Sequence, residues 1–309
     1  MPKITVQSEI LINQPREYLI DYLADFRNWP AWSPWLVLEP NCPVICSGIP
    51  GLVGHDYHWE GQLLGSGRMV LREKTPDRLE MGLALQHPIA VKAVIVIKIQ
   101  PQDQGCKLIW LTEFTLSWAY FYLKKRMKFN LCSDFQRGFS MLKNLLEKDS
   151  IRSRLERVGL VDQPGLDYIG IEVTSELGHL GTVVEENLAR LSQFCAEQAI
   201  EPTGPPFTLY KKLDLHTFQA EYVTAIPVAQ AETVEAPFCS GSISATSAYV
   251  SRHIGDRAFV SNGWAQVNLV ARRDKLKLHK QYVGLERYLN DPADTDIARL
   301  QTEVVLFCH

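Results

Sequence analysis

The sequence predicts an α+β protein built as two domains, and three observations predict it. The chain has 309 residues, which is more than one hydrophobic core usually serves. In the first half, a strand-like alternation over residues 108–118 precedes apolar residues at helical spacing over residues 127–146. In the second half a short aromatic pattern occurs twice, ending at Tyr210 in the first copy and at Tyr288 in the second.

The composition is that of a globular chain, and its charge argues against a nucleic-acid partner. Hydrophobic residues make up 46% and charged residues 22%, a balance that favours a packed core over disorder. The net charge of −3 divides into +2 for residues 1–150 and −5 for residues 151–309. Since neither half carries the basic excess that a phosphate backbone attracts, we predict no direct nucleic-acid binding.

Cysteine usage and hydropathy predict a cytoplasmic protein without a metal or a cofactor. The seven cysteines are scattered and odd in number, which fits a reducing compartment rather than a disulfide framework. Cys42 and Cys46 form the only close pair, and no second pair or histidine cluster stands nearby, so we predict buried side chains there and no metal. Apolar stretches such as residues 93–97 are too short for a bilayer, and the N-terminus lacks a signal pattern, so we predict no membrane insertion.

The first half reads as a meander of strands followed by one long helix. Residues 4–12 alternate as a first strand, and residues 52–118 contain strands separated by turns at 65–67, 76–77, 87–88 and 102–105. The last of these strands places mostly apolar side chains on one face: Leu108, Trp110, Thr112, Phe114, Leu116 and Trp118. An amphipathic helix is predicted from about Tyr120 to Lys148, and it needs a sheet to lie on.

Four motifs in this half resemble those of the polyketide cyclase/dehydrase branch of the SRPBCC or START-like superfamily. They are ADFRNWPAWSPW (24–35), HWEG (58–61), GSGRM (65–69) and DRLEM (77–81). The resemblance implies a helix-grip domain over residues 1–150, in which a curved antiparallel sheet encloses a C-terminal helix and an apolar ligand cavity. The side chains that it suggests for ligand binding are Trp59, Trp110, Phe114, Trp118, Phe135 and Phe139. The alternative for each is that it fills the core.

The second half predicts a linker and then two similar units. Residues 147–165 are charged and end in Asp-Gln-Pro-Gly, which reads as a helical tail and an exposed linker, so the second domain is placed at residues 166–309. Each unit is predicted as β-α-β-β, with residues 229–243 connecting the copies. Thr224 and Thr302 are as far apart in the sequence as the two pattern tyrosines, and His179 and His253 are placed in corresponding turns.

The segment LERYLNDP at residues 285–292 carries the sharpest candidate site. Glu286 and Tyr288 are two residues apart, so in a strand their side chains share a face. Asn290-Asp291-Pro292 then ends the strand, because Asn and Asp bond their own backbone and Pro donates nothing to a sheet.

This tandem half is similar to the GyrI-like effector-binding domain, also described as AraC-type or SHL2. The motifs are GPPFTLY (204–210), TAIPV (224–228), RHIG (252–255) and ERYLNDP (286–292). The resemblance implies a pseudo-two-fold domain whose groove binds aromatic, often cationic, molecules through a buried glutamate and aromatic rings. It suggests Glu286, Tyr288, Tyr210 and Trp264 as the binding residues, with Thr208 at the place of Glu286 in the first copy. No helix-turn-helix precedes the domain, unlike in the transcription regulators of this family.

The alternative for Glu286 is an ordinary ion pair. Arg287 and Arg299 are close enough in sequence to neutralise it, or it is exposed on an edge strand.

Three functions stay open from the sequence. The one we favour is a small-molecule-binding protein with two ligand domains for hydrophobic or aromatic, in part cationic, compounds, acting in sensing, sequestration or transport. The second is a hydrolase or cyclase in which Glu286, with Tyr288 or Tyr210, does acid–base chemistry on a small hydrophobic or electrophilic molecule. The third is a regulator that passes a ligand signal to a protein partner or within a homodimer.

Overall fold

The computed structural model describes residues 3–115, 124–214, 217 and 219–309. The chain divides into two compact units, Met1–Ile151 and Arg152–His309. Each unit contains one large antiparallel sheet with few helices, so the α+β prediction is confirmed.

The first unit contains a seven-stranded antiparallel sheet in the order β1-β7-β6-β5-β4-β3-β2. Helix α1 (Arg16–Ala24) follows the first strand, and helix α2 (Lys124–Lys148) packs along that strand. The strands are β1 (Lys3–Ile12), β2 (Val44–Ser47), β3 (Asp56–Gly61), β4 (Gly65–Thr75), β5 (Arg78–His87), β6 (Val91–Pro101) and β7 (Cys106–Thr115).

The alternation read from the sequence decides which face of this sheet is buried. In β7 every second residue from Cys106 to Phe114 is buried, and β1 follows the same period. The turn between β6 and β7 needs Gly105, whose φ of 83° is unfavourable for other residues and where a Cβ would collide with the carbonyl oxygen of Ile12. Gly65 lies inside β4 rather than in the predicted turn, because β4 already pairs with Gly61 from that residue onward.

Aromatic rings fill the space between β7 and α2. Trp110 is 1% exposed and stacks on Phe135 with ring centroids 4.9 Å apart. The edge of Phe139 meets the same indole at 5.9 Å, and Trp29 and Trp32 contact it at 5.5 and 6.1 Å. These ring contacts account for the burial of Trp110, Phe135 and Phe139 by packing within the unit.

The second unit contains an eight-stranded antiparallel sheet in the order β12-β9-β11-β10-β14-β15-β13-β8. Its helices are α3 (Leu180–Glu197), which packs on β9 and β11, and α4 (Ser261–Arg273), which packs on β13 and β15. The strands are β8 (Ser153–Gln163), β9 (Leu166–Glu176), β10 (Phe207–Asp214), β11 (Gln219–Val228), β12 (Cys239–Ile243), β13 (Thr246–Gly255), β14 (Gly284–Tyr288) and β15 (Gln301–Cys308).

The predicted linker is wrong, because most of it is a strand. Residues 153–163 form β8 at the edge of the second sheet, where they pair with β13, and the second unit begins before residue 166. Many side chains of β8 are exposed, which explains why its composition looks like a linker. Likewise the predicted connector 229–243 ends in β12, which pairs with β9 at the other edge. Each copy is therefore β-β-α-β-β, and its first strand pairs with the other copy.

Strand bounds define the repeat. The strands β9 and β13 begin at Leu166 and Thr246, and β11 and β15 end at Val228 and Cys308. Both pairs of residues are 80 positions apart (246 − 166 and 308 − 228), which we call the outer offset of the repeat. The one-turn 3-10 helices that follow β9 and β13, Leu177–His179 and Arg257–Phe259, keep this outer offset.

Counterparts in the central strands β10 and β14, such as Tyr210 and Tyr288, are 78 positions apart (288 − 210), two fewer than counterparts in the outer strands. This difference corrects one predicted equivalence. Tyr210 pairs with Tyr222, whereas Tyr288 pairs with Thr302. Thr302 is therefore the counterpart of Tyr222, and the predicted equivalence with Thr224 is wrong. The segment from Tyr288 to Thr302 is two residues longer than the segment from Tyr210 to Tyr222, so the last strand is displaced by two residues, which keeps each side chain on its face.

The two faces of the second sheet differ in polarity. The face away from the helices contains an apolar cluster that includes Phe207, Leu209, Val223, Leu285 and Phe307, each at most 1% exposed. The helix-bearing face has apolar ends but carries buried polar groups near its centre: Thr208, Thr224, Ser251, His253, Glu286 and Thr302. Burying polar side chains costs free energy, so packing alone does not account for them. The centre of this face is therefore where we place the candidate functional site.

The ring packing in the first unit yields a stability prediction. Replacing Phe139 by alanine removes a ring that is 1% exposed and should lower the free energy of unfolding by about 3–5 kcal/mol. Urea unfolding followed by tryptophan fluorescence measures it, because six of the seven tryptophans lie in this unit. The control is Gln136→Ala on the exposed side of α2. Equal stability of the two variants would contradict the assignment of Phe139 to the core.

Candidate functional site

The candidate site lies on the pseudo-two-fold axis of the second unit. Thr208 in β10 pairs directly with Glu286 in β14, and the two residues are counterparts at the offset of the central strands. A cross-strand pair formed by two counterparts lies on the axis that relates the copies. Thr208 therefore faces Glu286 across the centre of the helix-bearing face.

Hydrogen-bond donors converge on the Glu286 carboxylate. Trp264 in α4 donates its indole N–H to Oε1 at 2.6 Å, and the Tyr288 hydroxyl donates to Oε2 at 3.3 Å. Tyr210 makes a further side-chain hydrogen bond to this carboxylate. Because Tyr288 donates its proton to Glu286, the Thr208 hydroxyl, 2.9 Å away, donates to the oxygen of Tyr288. The structure thus brings together the four residues that the sequence singled out in this half.

Burial and hydrogen bonding act against each other on Glu286. Burial raises the pKa of its carboxyl above the ordinary range, and the bonds from Trp264, Tyr210 and Tyr288 lower the pKa in part. Burial and the nearby Glu286 charge raise the pKa values of Tyr210 and Tyr288 well above 10, so both phenols stay protonated donors near neutral pH.

No ion pair neutralises Glu286 among the residues that the structure describes. Arg287 follows Glu286 in the same strand and so points to the opposite face, where it pairs with Glu303 at 3.0 Å. The charge of Arg257 lowers the pKa of Glu286 without an ion pair. The Arg257 guanidinium lies 4.6 Å above the Tyr288 ring and donates to the Asn290 carbonyl at 2.9 Å. Its Nε is buried without a hydrogen-bond partner.

The two halves of the site differ strongly in chemistry. At the outer offset of the repeat, Trp264 corresponds to Val184 and Arg257 corresponds to Leu177. In the first copy these positions join an apolar cluster around Tyr222, which is fully buried. The second copy therefore supplies the charged groups and the indole donor, whereas the first copy supplies apolar side chains at the equivalent positions.

Aromatic rings form the boundary of the site. The ring of Tyr210 meets Trp264 edge to face at 5.4 Å, and Tyr210 contacts Tyr222 at 6.0 Å. Glu286, Tyr288 and Tyr210 are each buried, whereas Trp264 is partly exposed. Trp264 is thus the member of the site that reaches the surface.

A second polar cluster on this face was not predicted. His253 lies inside β13, not in a turn, and its Nε2 is 2.9 Å from the Ser153 hydroxyl of β8. Asn262 donates to the same hydroxyl at 2.9 Å, while His253 Nδ1 is buried without a partner. Ser153 was assigned to the linker and lies far from His253 in the sequence, so no local pattern connects them.

The residues predicted to bind a ligand in the first unit lie in different surroundings. Trp110, Phe135 and Phe139 are in the ring-packed interior described above. Trp59 is half-buried, with its ring 5.8 Å from that of Tyr57. Phe114 lines a depression at the end of the sheet. Trp118 lies outside the described residues.

Neither a metal cluster nor a membrane-spanning helix is found in the described ranges. No three His, Cys, Asp or Glu side chains there are arranged to hold a metal ion. None of the helices described is both long enough and apolar enough to cross a membrane. All seven cysteines are free thiols.

Comparison with known proteins gives structural similarity only. No protein-family model and no curated protein matches the chain. Among solved structures, the chain is similar to the di-domain ARO/CYC StfQ from the steffimycin biosynthetic pathway, with 11% identity over 48% of this chain and 51% of that one and a TM-score of 0.39. It is similar to Aha1 of Colwellia psychrerythraea, solved as a dimer, with 13% identity, 47% and 96% coverage and a TM-score of 0.35. It is also similar to EcmrR, solved in a complex with DNA, with 13% identity over 61% of this chain and 69% of that one and a TM-score of 0.44.

The buried histidine predicts a pH-dependent stability. Burial lowers the pKa of His253 from 6.5 to about 4, so between these values the unfolded chain binds a proton that the folded chain excludes. The contribution of His253 is fully present above pH 6.5 and is lost as the pH falls to 4, by roughly 3 kcal/mol. We expect the second unit to lose stability over this interval in urea titrations.

The matched variant is His253→Val, because the counterpart of His253 in the first copy is Val173. The difference in stability between the wild type and this variant isolates the histidine, since Glu286, whose pKa is raised, contributes with the opposite sign in both proteins. A difference that does not change between pH 6.5 and pH 4 would show that His253 is not protonated on unfolding.

Proposed function

We propose that the protein binds small aromatic cations in the second unit and acts in sensing, sequestration or transport. In this proposal the second unit is a GyrI-like effector-binding domain, and the first unit is a helix-grip domain of the SRPBCC type. The observation that supports it is the Glu286 carboxylate, which is 5% exposed, surrounded by aromatic donors and free of an ion pair among the described residues.

A ligand cation would offset the energetic cost of burying the Glu286 carboxylate without an ion pair. An unpaired carboxylate away from water is unfavourable, and three donors offset only part of that cost. A cation next to Glu286 restores the lost charge interaction and also stacks on the faces of Trp264 and the tyrosines. Binding of a cation requires an ionised Glu286, so the affinity for cations should fall as the pH drops through the raised pKa of Glu286.

The difference between the copies favours a ligand with one charge and an apolar body. The charged end would meet Glu286 at the axis, and the body would lie toward Val184 and Tyr222 of the first copy. In the first unit we propose that Trp110, Phe135 and Phe139 serve packing, because each ring is already in contact with others. Ligand binding is therefore proposed for the second unit.

The direct test is Glu286→Gln in the full chain. The change keeps the shape and removes the charge, so a planar cationic dye such as rhodamine 6G should bind about tenfold more weakly or worse. A neutral dye of similar size should change much less, because it gains nothing from the charge. Fluorescence or calorimetric titration of both dyes measures the difference.

The control is Glu221→Gln, an exposed carboxylate in β11 that pairs with Lys212. It changes the net charge by the same amount as Glu286→Gln and should leave both dyes unaffected. Equal weakening of cationic and neutral dyes in Glu286→Gln would show damaged packing, and unchanged binding of the cation would contradict the proposal.

Arg257 yields a second prediction, because it places a positive charge where a ligand cation is proposed to bind. Arg257→Leu, which copies Leu177 of the other half, should tighten binding of the cationic dye by about threefold at pH 8. The gain should shrink as the pH is lowered, since removing Arg257 raises the pKa of Glu286 further. Weaker binding of the cation at pH 8, with the neutral dye unchanged, would contradict this role.

One observation favours a hydrolase as the second candidate. Glu286 has a raised pKa and is hydrogen-bonded to two tyrosines that stay protonated, which is an arrangement suited to general acid–base chemistry. The test is turnover of a strained electrophile such as an epoxide by the full chain. Loss of turnover in Glu286→Gln with dye binding retained would establish the hydrolase over the binding protein.

A further inference from the structure

The first unit contains a depression of about 590 Å³ that no part of the proposed function uses. It is lined by β4 to β7 and by the start of β1. Leu83, Ala93 and Phe114 form one cross-strand row on the same face of the sheet as Trp110. The other lining side chains of β4, β5 and β6 lie on the opposite face, because they alternate with the buried positions of each strand. Its volume is within the range of small-molecule sites.

Small side chains create the depression. Val70, Gly82 and Val94 form one row of cross-strand neighbours, and in the next row Ala84 lies between Arg68 and Lys92. Gly82 and Ala84 have no side-chain atoms beyond Cβ, so they leave space between the long side chains of Arg68, Arg72 and Lys92. Together with Val70 and Val94 they form the apolar floor of the depression. A Cβ at Gly82 would collide with the guanidinium of Arg72, which shows that this exposed side chain reaches over the floor at Gly82.

Four cationic side chains line this floor, and ion pairs hold two of them. Arg68 is held by Asp56 at 2.6 Å, and Lys3 is held by Glu113 at 2.6 Å. Arg72 and Lys92 form no hydrogen bond or ion pair within the described part of the chain. Two unpaired cations therefore stand beside an apolar surface.

We propose that this depression is a binding site for a small amphipathic anion, meaning an organic sulfonate or carboxylate with an aromatic or acyl body. The anionic group would lie between Arg72 and Lys92, where a planar guanidinium and a mobile ammonium both donate to oxygen. The body would cover Val70, Ala84 and Val94 and exclude water from them. The opposite sign of the two sites separates their ligands, since the Glu286 carboxylate repels anions.

The test uses the fluorescent anion 8-anilinonaphthalene-1-sulfonate with the full chain. The wild type should bind it with increased emission, and the double variant Arg72→Gln with Lys92→Gln should weaken binding about tenfold, because both charge-assisted contacts are lost. Ala84→Leu, which fills the floor while keeping the charges, should weaken binding by a similar factor. Circular dichroism melting curves establish that each variant is folded.

The matched control is Lys98→Gln, which removes an exposed lysine of the same strand as Lys92 but outside the depression. It should leave the dissociation constant within twofold of the wild type. The proposal is overturned if the double variant binds the dye like the wild type, or if Lys98→Gln weakens binding as much as Lys92→Gln alone. Since none of these variants touches Glu286, the outcome is independent of whether the second unit binds cations.

Discussion

The position of one carboxylate on a pseudo-two-fold axis is the constraint on which the second unit depends. Thr208 and Glu286 are counterparts and also direct cross-strand neighbours. If both copies carried glutamate, two buried carboxylates would face each other across the central strands, and like charges in directly opposed positions repel. The axis therefore favours one ionised carboxylate, and the partner position holds Thr208, which is neutral and small.

The residues around Glu286 differ between the two copies, and several of them stabilise its single charge. Trp264, Tyr288 and Tyr210 donate to Glu286, and Arg257 lies near enough to influence its pKa without forming an ion pair. At the equivalent positions of the first copy, apolar residues such as Val184 form a cluster with few polar groups. A repeated fold thus supplies two unlike walls, and this difference is what gives the proposed site a direction for its ligand.

Much of the fold follows from local patterns, and the failures have physical causes. The alternation in β7 and the helical spacing of Phe135 and Phe139 predict their elements, because one buried face imposes a period. The strand β8 was missed because an edge strand with exposed side chains has the composition of a linker. The two-residue displacement of β15 was missed because a shift by two keeps every side chain on its face.

Local patterns likewise predict part of the candidate site, and tertiary packing decides the rest. Glu286 and Tyr288 share a face by strand geometry, and the repeat brings Tyr210 and Thr208 to them, so local pattern and repeat together predict the centre. The bond from Trp264 depends on how α4 packs over the sheet, and the contact between Ser153 and His253 depends on the pairing of β8 with the other copy. Neither contact leaves a local signal, because each is decided by tertiary structure.

The most direct measurement of the central claim is a crystal structure of the full chain with a planar monocation bound. We expect one ligand in the second unit, with its charged group within about 4–5 Å of the Glu286 carboxylate and its body toward Val184 and Tyr222. Two ligands placed symmetrically about the axis, or a single ligand whose charge lies away from Glu286, would contradict the claim that one axial carboxylate organises the site.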